Sequence, residues 1–348
     1  MGVVGSTLTS GSKENAGGAW VLQPTPRNGI VHPPERGPAS DMSILSAALL
    51  IFVLVVVAPA WAAIAPGLYD GVTGQTVTLE QALQTVRPGH VVVVSEQHDV
   101  ARHHENQLAV LRTLKNLNLK VSVGLEFLSY PNQPWVDRYV RGEIEEADFQ
   151  QAIRWAGYPF EWYRPLMLFP REAGGQTRAL NAPERLTRAL GERGLAGLSD
   201  EERSWLPPNF QLGNDLYFER FATAVREHGD LQEDVVRNFF AAQSAWDDTM
   251  AWQARDFLIA NPDQVLVIIV GDFHASYGGG LPDRLRARGV TSVLVISQVN
   301  AFGLSDEEIQ SLIRPDPRHG MRADFVWLTQ EQISDFDIRA SSWLDCET

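Results

Sequence analysis

The sequence predicts an α/β fold: a mostly parallel sheet flanked by helices, with a smaller inserted helical subdomain. Three observations predict it. Residues 91–94 are all valine, and residues 265–270 read Val-Leu-Val-Ile-Ile-Val. Unbroken runs of this kind mark strands buried on both faces, as parallel strands are. Residues 121–125 form a third run, interrupted only by Ser122 and Gly124. The stretches between these runs carry apolar residues three and four apart, the helical period of a parallel crossover.

Taken in order, residues 1–41 are rich in Gly, Ser, Pro and Asn without apolar periodicity, and read as disordered or as a mis-started leader. Met42 then opens an apolar run that ends near Ala60-Trp61-Ala62, a small-x-small cleavage pattern. Residues 42–62 read as a secretory signal peptide or, if uncleaved, as a membrane anchor. No Lys or Arg lies between Met42 and the run, and no cysteine follows it closely enough for lipoprotein processing. Residues 63–348 form the α/β domain, with the helical subdomain at about 130–260.

Thr78 is a candidate N-cap for a short helix through Leu83. The valine strand follows. Residues 101–116 predict a helix, with Leu108, Leu111 and Leu114 at three-residue spacing and His103, His104 and Gln107 in its first turns. From residue 133 the pattern is mostly helical, with an aromatic turn at Tyr158, Phe160, Trp162 and Tyr163. Residues 178–181 suggest a short strand, and Pro183 opens the next helix. In the long helix of residues 231–260, Phe239, Phe240, Gln243, Trp246, Asp247, Met250 and Ala254 share a face. Gln243 and Asp247 are polar there and need partners, either a neighbouring loop or a site. Tyr277 leads three contiguous glycines, which lack the strand-Gly-x-Gly-x-x-Gly-helix context of a dinucleotide loop. Further strands are expected at 291–297 and 325–328.

The chemistry gathers where strands end. The first strand ends in Glu96-x-His98, the third run in Glu126, and the downstream run in Asp272-x-His274. Ligands of open α/β sheets sit beyond the carboxyl ends of the strands, so these five residues are expected to converge on one site. As catalytic groups they would serve general acid/base work; Glu96, His98 and His274 would alternatively suit a divalent metal. Singly, each also reads as a cap or loop residue. No Gly-x-Ser-x-Gly elbow or His-Glu-x-x-His helix is present. The only cysteine is Cys346, so a metal would need His, Asp, Glu or Tyr. With 29 Lys+Arg against 43 Asp+Glu, a net charge of −14, nucleic acid and anionic lipid surfaces are poor partners.

The ordered set Ser95-Glu96-Gln97-His98-Asp99, His103-His104 with Gln107, Gly124-Leu125-Glu126-Phe127, Ala179 to Pro183, Ala242 to Ala251, Gly271-Asp272-Phe273-His274 with Gly280 to Leu285, and Ala323 to Trp327 resembles the ChaN-type haem-binding uptake proteins. That family shares a superfamily with Tiki metalloproteases and erythromycin esterases. Two positions depart from its pattern: Ser95 stands where a glycine is usual, and the lipobox cysteine is absent. The resemblance implies a parallel α/β domain with a smaller helical one, export, and a role in haem and iron uptake. It implies haem held between two subunits by a tyrosine ligand, for which Tyr163 and Tyr277 are the candidates. Gln243, Trp246, Asp247 and Met250 would then wall the porphyrin, and His103 and His104 would meet its propionates, with Arg102 and Arg284 the nearest cations. It also leaves a metal-dependent hydrolase as the alternative.

Overall fold

The computed structural model describes residues 64–332 apart from 228 and 230; the expected leader and signal or anchor segment lie outside the described residues. The strands are β1 (Gly67–Asp70), β2 (Thr76–Val77), β3 (Val91–Glu96), β4 (Lys120–Ser129), β5 (Thr177–Asn181), β6 (Gln264–Gly271), β7 (Val293–Asn300) and β8 (Phe325–Thr329). The helices are α1 (Leu79–Leu83), α2 (Ala101–Asn116), α3 (Gln133–Val140), α4 (Glu146–Ile153), α5 (Phe160–Leu168), α6 (Pro170–Ala173), α7 (Glu184–Arg193), α8 (Asp200–Ser204), α9 (Asp215–Arg226), α10 (Glu233–Ala260), α11 (Asp272–Ala275), α12 (Leu281–Ala287) and α13 (Asp306–Ile313).

The strands make one sheet in the order β2-β1-β8-β7-β3-β6-β4-β5. Pairing is parallel from β8 to β5, and β1 is antiparallel to both of its neighbours. The fold is the α/β sheet with flanking helices that the runs predict. All of β3 and β6 is buried. Alternation splits each run between two cores: Val92, Val94, Val265, Val267 and Ile269 face one, and Val91, Val93, Leu266, Ile268 and Val270 face the other. Each fully buried Val, Leu or Ile stabilises by about 1.5–3 kcal/mol, so neither layer of helices can be dispensed with.

The first core is covered by α1, α2 and α3 to α6; the second by α7, α10 and α12. The stretch at 130–260 is therefore not a separate helical body. It supplies β5, the edge strand beside β4, and its helices cover both faces of the sheet. The reason is topological: β4 and β5 are parallel, and a parallel partner needs a crossover, here α3 to α6. Among the described residues no helix is long and apolar enough to cross a membrane.

Candidate functional site

Because β3, β6 and β4 are neighbours and Glu96 is in register with Gly271, the ends of β3 and β6 meet Glu126 of β4, which itself runs on to Ser129. Glu96 comes from β3, Glu126 from β4, and the turn of α11 follows β6 directly. Glu96, His98, Glu126 and His274 are each 4 % exposed or less. Glu96 Oε1 accepts from His98 Nδ1 at 2.7 Å and from the Tyr163 hydroxyl at 2.5 Å, while Oε2 accepts from Gln107 Nε2 at 2.7 Å. Glu126 Oε2 accepts the Gly271 N–H at 2.6 Å, and Oε1 lies 3.3 Å from His274 Nε2. His274 Nδ1 lies 2.7 Å from Asp247 Oδ1, and Asp247 Oδ2 accepts from the Tyr217 hydroxyl at 2.9 Å. Gln243 donates to the same hydroxyl at 2.9 Å, so the polar face of α10 is committed to this cluster.

Gly271 is where the two halves touch. A Cβ there would stand 2.9 Å from His98 Nε2, too close without a shift of that ring, so glycine lets His98 close over the strand end, with Glu126 Oε2 in ordinary contact at 3.5 Å. The charges are mutually supporting. Burial alone would raise Glu96, but His104 and His98 beside it hold the carboxyl down to about 2. Burial alone would lower His274, but Asp247 and Glu126 push it up to about 10. His98 is raised by Glu96 against its own burial, and Glu126 is lowered by His274 against its own. Burial raises Asp247, which His274 only partly offsets. At neutral pH Glu96 is therefore a carboxylate and His274 a protonated imidazole, both buried.

Not every expected member is in it. Asp272 turns away: its Oδ1 accepts from Ser95 and Ser297 Oγ at 2.6 and 2.5 Å, and its Oδ2 pairs with Arg322. Asp272 and His274 lie two residues apart on α11, about 200° around a helix, and so face opposite ways. The expected divalent-metal site is not formed. Glu96 and His98 bond each other, His274 lies between Asp247 and Glu126, and no group of three His, Cys, Asp or Glu among the described residues is arranged to hold a metal ion. Met250 is buried in the second core. Trp246 meets the His274 ring edge-on at 6.2 Å. His103 has both ring nitrogens engaged, with the Gln97 N–H at 2.9 Å and Thr329 Oγ1 at 3.1 Å, and burial pushes it down to about 3. His104 is buried against Trp162 and Tyr163. Arg284 is bonded to Asp283 and to Gln211.

The two tyrosines differ sharply. Tyr163 is fully buried and its hydroxyl serves Glu96. Tyr277 is only partly buried and stands just beyond α11 at φ +60°. Two guanidinium groups lie against its ring, Arg220 at 4.7 Å and Arg322 at 5.4 Å, with the His319 ring at 5.7 Å. His319 Nδ1 is buried without a hydrogen-bond partner. Leu216, one turn before Arg220 on α9, is 48 % exposed, and Met321, next to Arg322, is 40 % exposed. Tyr217, Arg220, His319 and Arg322 escaped the sequence reading. Arg322 directly precedes the 323–327 motif, which is the only sequence signal that pointed near it.

A family model described as "Haem-binding uptake, Tiki superfamily, ChaN" matches residues 82–285. The chain belongs to this family. The match covers most of both cores, the acid/His cluster and the loop that carries Tyr277. Among solved structures, this ChaN-type chain resembles one described as cofacial heme binding to ChaN of Campylobacter jejuni. They share 16 % identity over 74 % of this chain and 94 % of that one, with a TM-score of 0.52. At that identity the likeness establishes the shared fold. An erythromycin esterase mutant in its open conformation is more distant, at 13 % identity over 69 % of this chain and 78 % of that one, with a TM-score of 0.41. No curated protein matches the ChaN-type chain significantly in sequence.

Proposed function

We propose that this chain binds haem through the phenol of Tyr277 and serves haem and iron uptake outside the cytoplasm. The observation that carries the assignment is the contrast between the two candidate tyrosines. Tyr277 is accessible and flanked by cationic side chains, whereas Tyr163 is sealed in and occupied by Glu96. Haem iron accepts tyrosine as an axial ligand, and an anionic oxygen on ferric iron is favoured by neighbouring positive charge. The residues present fit the group: Tyr277 for the iron, Leu216, a turn from Arg220, and Met321, next to Arg322, as exposed apolar surface, and His319, whose buried Nδ1 has no partner, as a polar contact. When bound, haem would supply the iron; the chain supplies the ligand, the charge and the apolar surface.

The reading extends to two subunits sharing the haem face, as the family resemblance implies, and to export by cleavage after Ala60-Trp61-Ala62 or retention by the uncleaved run. Titration of the purified chain with ferric haem tests the core of it. A saturable Soret band with a phenolate-type visible band is expected. It should be lost in Tyr277→Phe and kept in Tyr163→Phe; the reverse pattern refutes the assignment.

A hydrolytic reading has one observation in its favour. Glu96, His98, Glu126, Asp247 and His274 form a network with several displaced pKa values, the kind of environment that acid/base catalysts occupy. Without a metal, the step would be water activated by a carboxylate or imidazole. Ester or peptide turnover abolished by Glu96→Gln and unaffected by Tyr277→Phe supports this activity; the absence of turnover in the wild-type chain dismisses it.

A further inference from the structure

Asp272 is the acid of an acid-x-His pair, yet it has no part in the acid/His cluster. Its carboxylate accepts from Ser95, Ser297 and Arg322. Arg322 also donates through Nε to Ser297 Oγ at 2.9 Å, so the guanidinium is anchored both to Asp272 and to β7. That guanidinium faces Tyr277: Nη1 lies 3.5 Å from the phenol oxygen, and the main-chain carbonyl of Arg322 accepts the Tyr277 N–H at 2.6 Å. The second guanidinium is fixed as firmly. Arg220 donates to the Ser276 carbonyl at 2.7 Å and to Ser276 Oγ at 2.9 Å, and also lies 4.9 Å from the Phe273 ring.

These contacts account for an otherwise costly backbone. Tyr277 sits at φ 60°, ψ 24°, the left-handed region, which costs a side-chain-bearing residue about 1–2 kcal/mol. Such a conformation persists only where its surroundings over-determine it, and that occurs preferentially at ligand sites. Here one carboxylate stands against two guanidinium groups, so the ring is left in a net positive setting. The frame is built from buried groups, Ser95 at 0 %, Ser297 at 0 % and Ser276 at 2 % exposure, and does not depend on a surface side chain finding its place.

We propose that Asp272 and Ser276 are positioning residues for the Tyr277 site. Through Arg322 and Arg220 they set the pose of the phenol and the charge around it before the ligand arrives. This inference rests on the reading of Tyr277 as the iron-binding group. It also gives the Asp272-x-His274 motif two duties: His274 belongs to the buried cluster and Asp272 to the ligand face.

The full chain is titrated with ferric haem and followed by absorption, with far-UV circular dichroism and melting as folding controls. Asp272→Asn alone strands a largely enclosed guanidinium, so the paired variant Asp272→Asn/Arg322→Gln is used, together with Ser276→Ala, which removes one hydrogen bond and no charge. Outer partners of a metal ligand typically contribute 10–100-fold to affinity, so the paired variant is expected to bind haem about tenfold or more weakly and to shift the visible phenolate–iron band. Ser276→Ala should shift that band with the melting curve unchanged, and Arg322→Lys, which keeps the charge, should restore part of the affinity. Wild-type affinity, within about twofold, and an unmoved band in both the paired variant and Ser276→Ala overturn the proposal if Tyr277→Phe still abolishes the band. If the paired variant does not fold, Ser276→Ala decides by itself. A band that survives Tyr277→Phe removes the iron-ligand reading, and the positioning proposal falls with it.

Discussion

At the scale of single residues, Glu126 shows how firmly the buried cluster is set. Its carboxylate takes the Gly271 N–H on one oxygen and faces His274 on the other, at 3 % exposure. Removing its charge while keeping its shape leaves His274 protonated with less compensation. Breaking a buried pair by neutralising one partner typically costs about 3–5 kcal/mol, whereas an exposed pair such as Arg102–Glu105 contributes about 0–1 kcal/mol. Glu126→Gln is therefore expected to lower the unfolding free energy by about 3 kcal/mol or more, read from urea denaturation. A loss no larger than that of Glu105→Gln would mean that the Glu126 carboxyl is uncharged in the folded chain.

At the scale of elements, the strands and their partners explain what the sequence disclosed and what it hid. The runs of β3 and β6 were legible because burial on both faces leaves no polar alternation to confuse them. The bounds of α2 followed from its leucine spacing, and Thr78 does cap α1, in a full capping box with Gln81. The antiparallel edge was illegible: β1 has four residues and β2 two, too short for any period to show. Asp272 and His274 looked equivalent to Glu96 and His98 because a spacing of two says nothing about whether the chain beyond the strand is extended or helical; α11 sends them apart. Arg220 and Arg322 carried no signal, since a partly buried arginine is set by partners distant in sequence, Ser276 and Asp272. Gly124 offers a test at this scale. A Cβ on it would lie 2.3 Å from Leu180 Cδ1, on the adjoining strand β5. Its backbone is not left-handed, so the cost is packing alone. Gly124→Ala should destabilise by about 1–3 kcal/mol, the usual cost of overpacking, and Gly124→Ala/Leu180→Ala should lose less than the sum of its two single changes. Additive losses in thermal melts would show that the two side chains do not compete for the same space.

At the scale of the whole molecule, the cluster makes stability depend on pH from both sides. His274 binds its proton more tightly in the folded chain, at about 10, than an ordinary histidine at 6.5. The folded state therefore holds more protons between those values, and raising the pH favours unfolding. Its contribution is complete below about 6.5 and is lost as the pH climbs through about 10. Glu96 runs the other way: held near 2 against an ordinary 4.5, it stabilises fully above 4.5 and loses that contribution as the pH falls through about 2. His103, pushed down to about 3, adds to the acid limb, because the unfolded chain takes up its proton from 6.5 downward while the folded chain does not. The denaturant midpoint should thus be highest near pH 6.5 and decline towards both pH 3 and pH 10. The alkaline decline belongs to His274 and its partners, so a His274→Gln variant should be less stable at pH 6.5 and flatter towards pH 10. An alkaline decline of undiminished slope in that variant would place the titrating group elsewhere, and the charge assignment of the buried cluster would have to be redrawn.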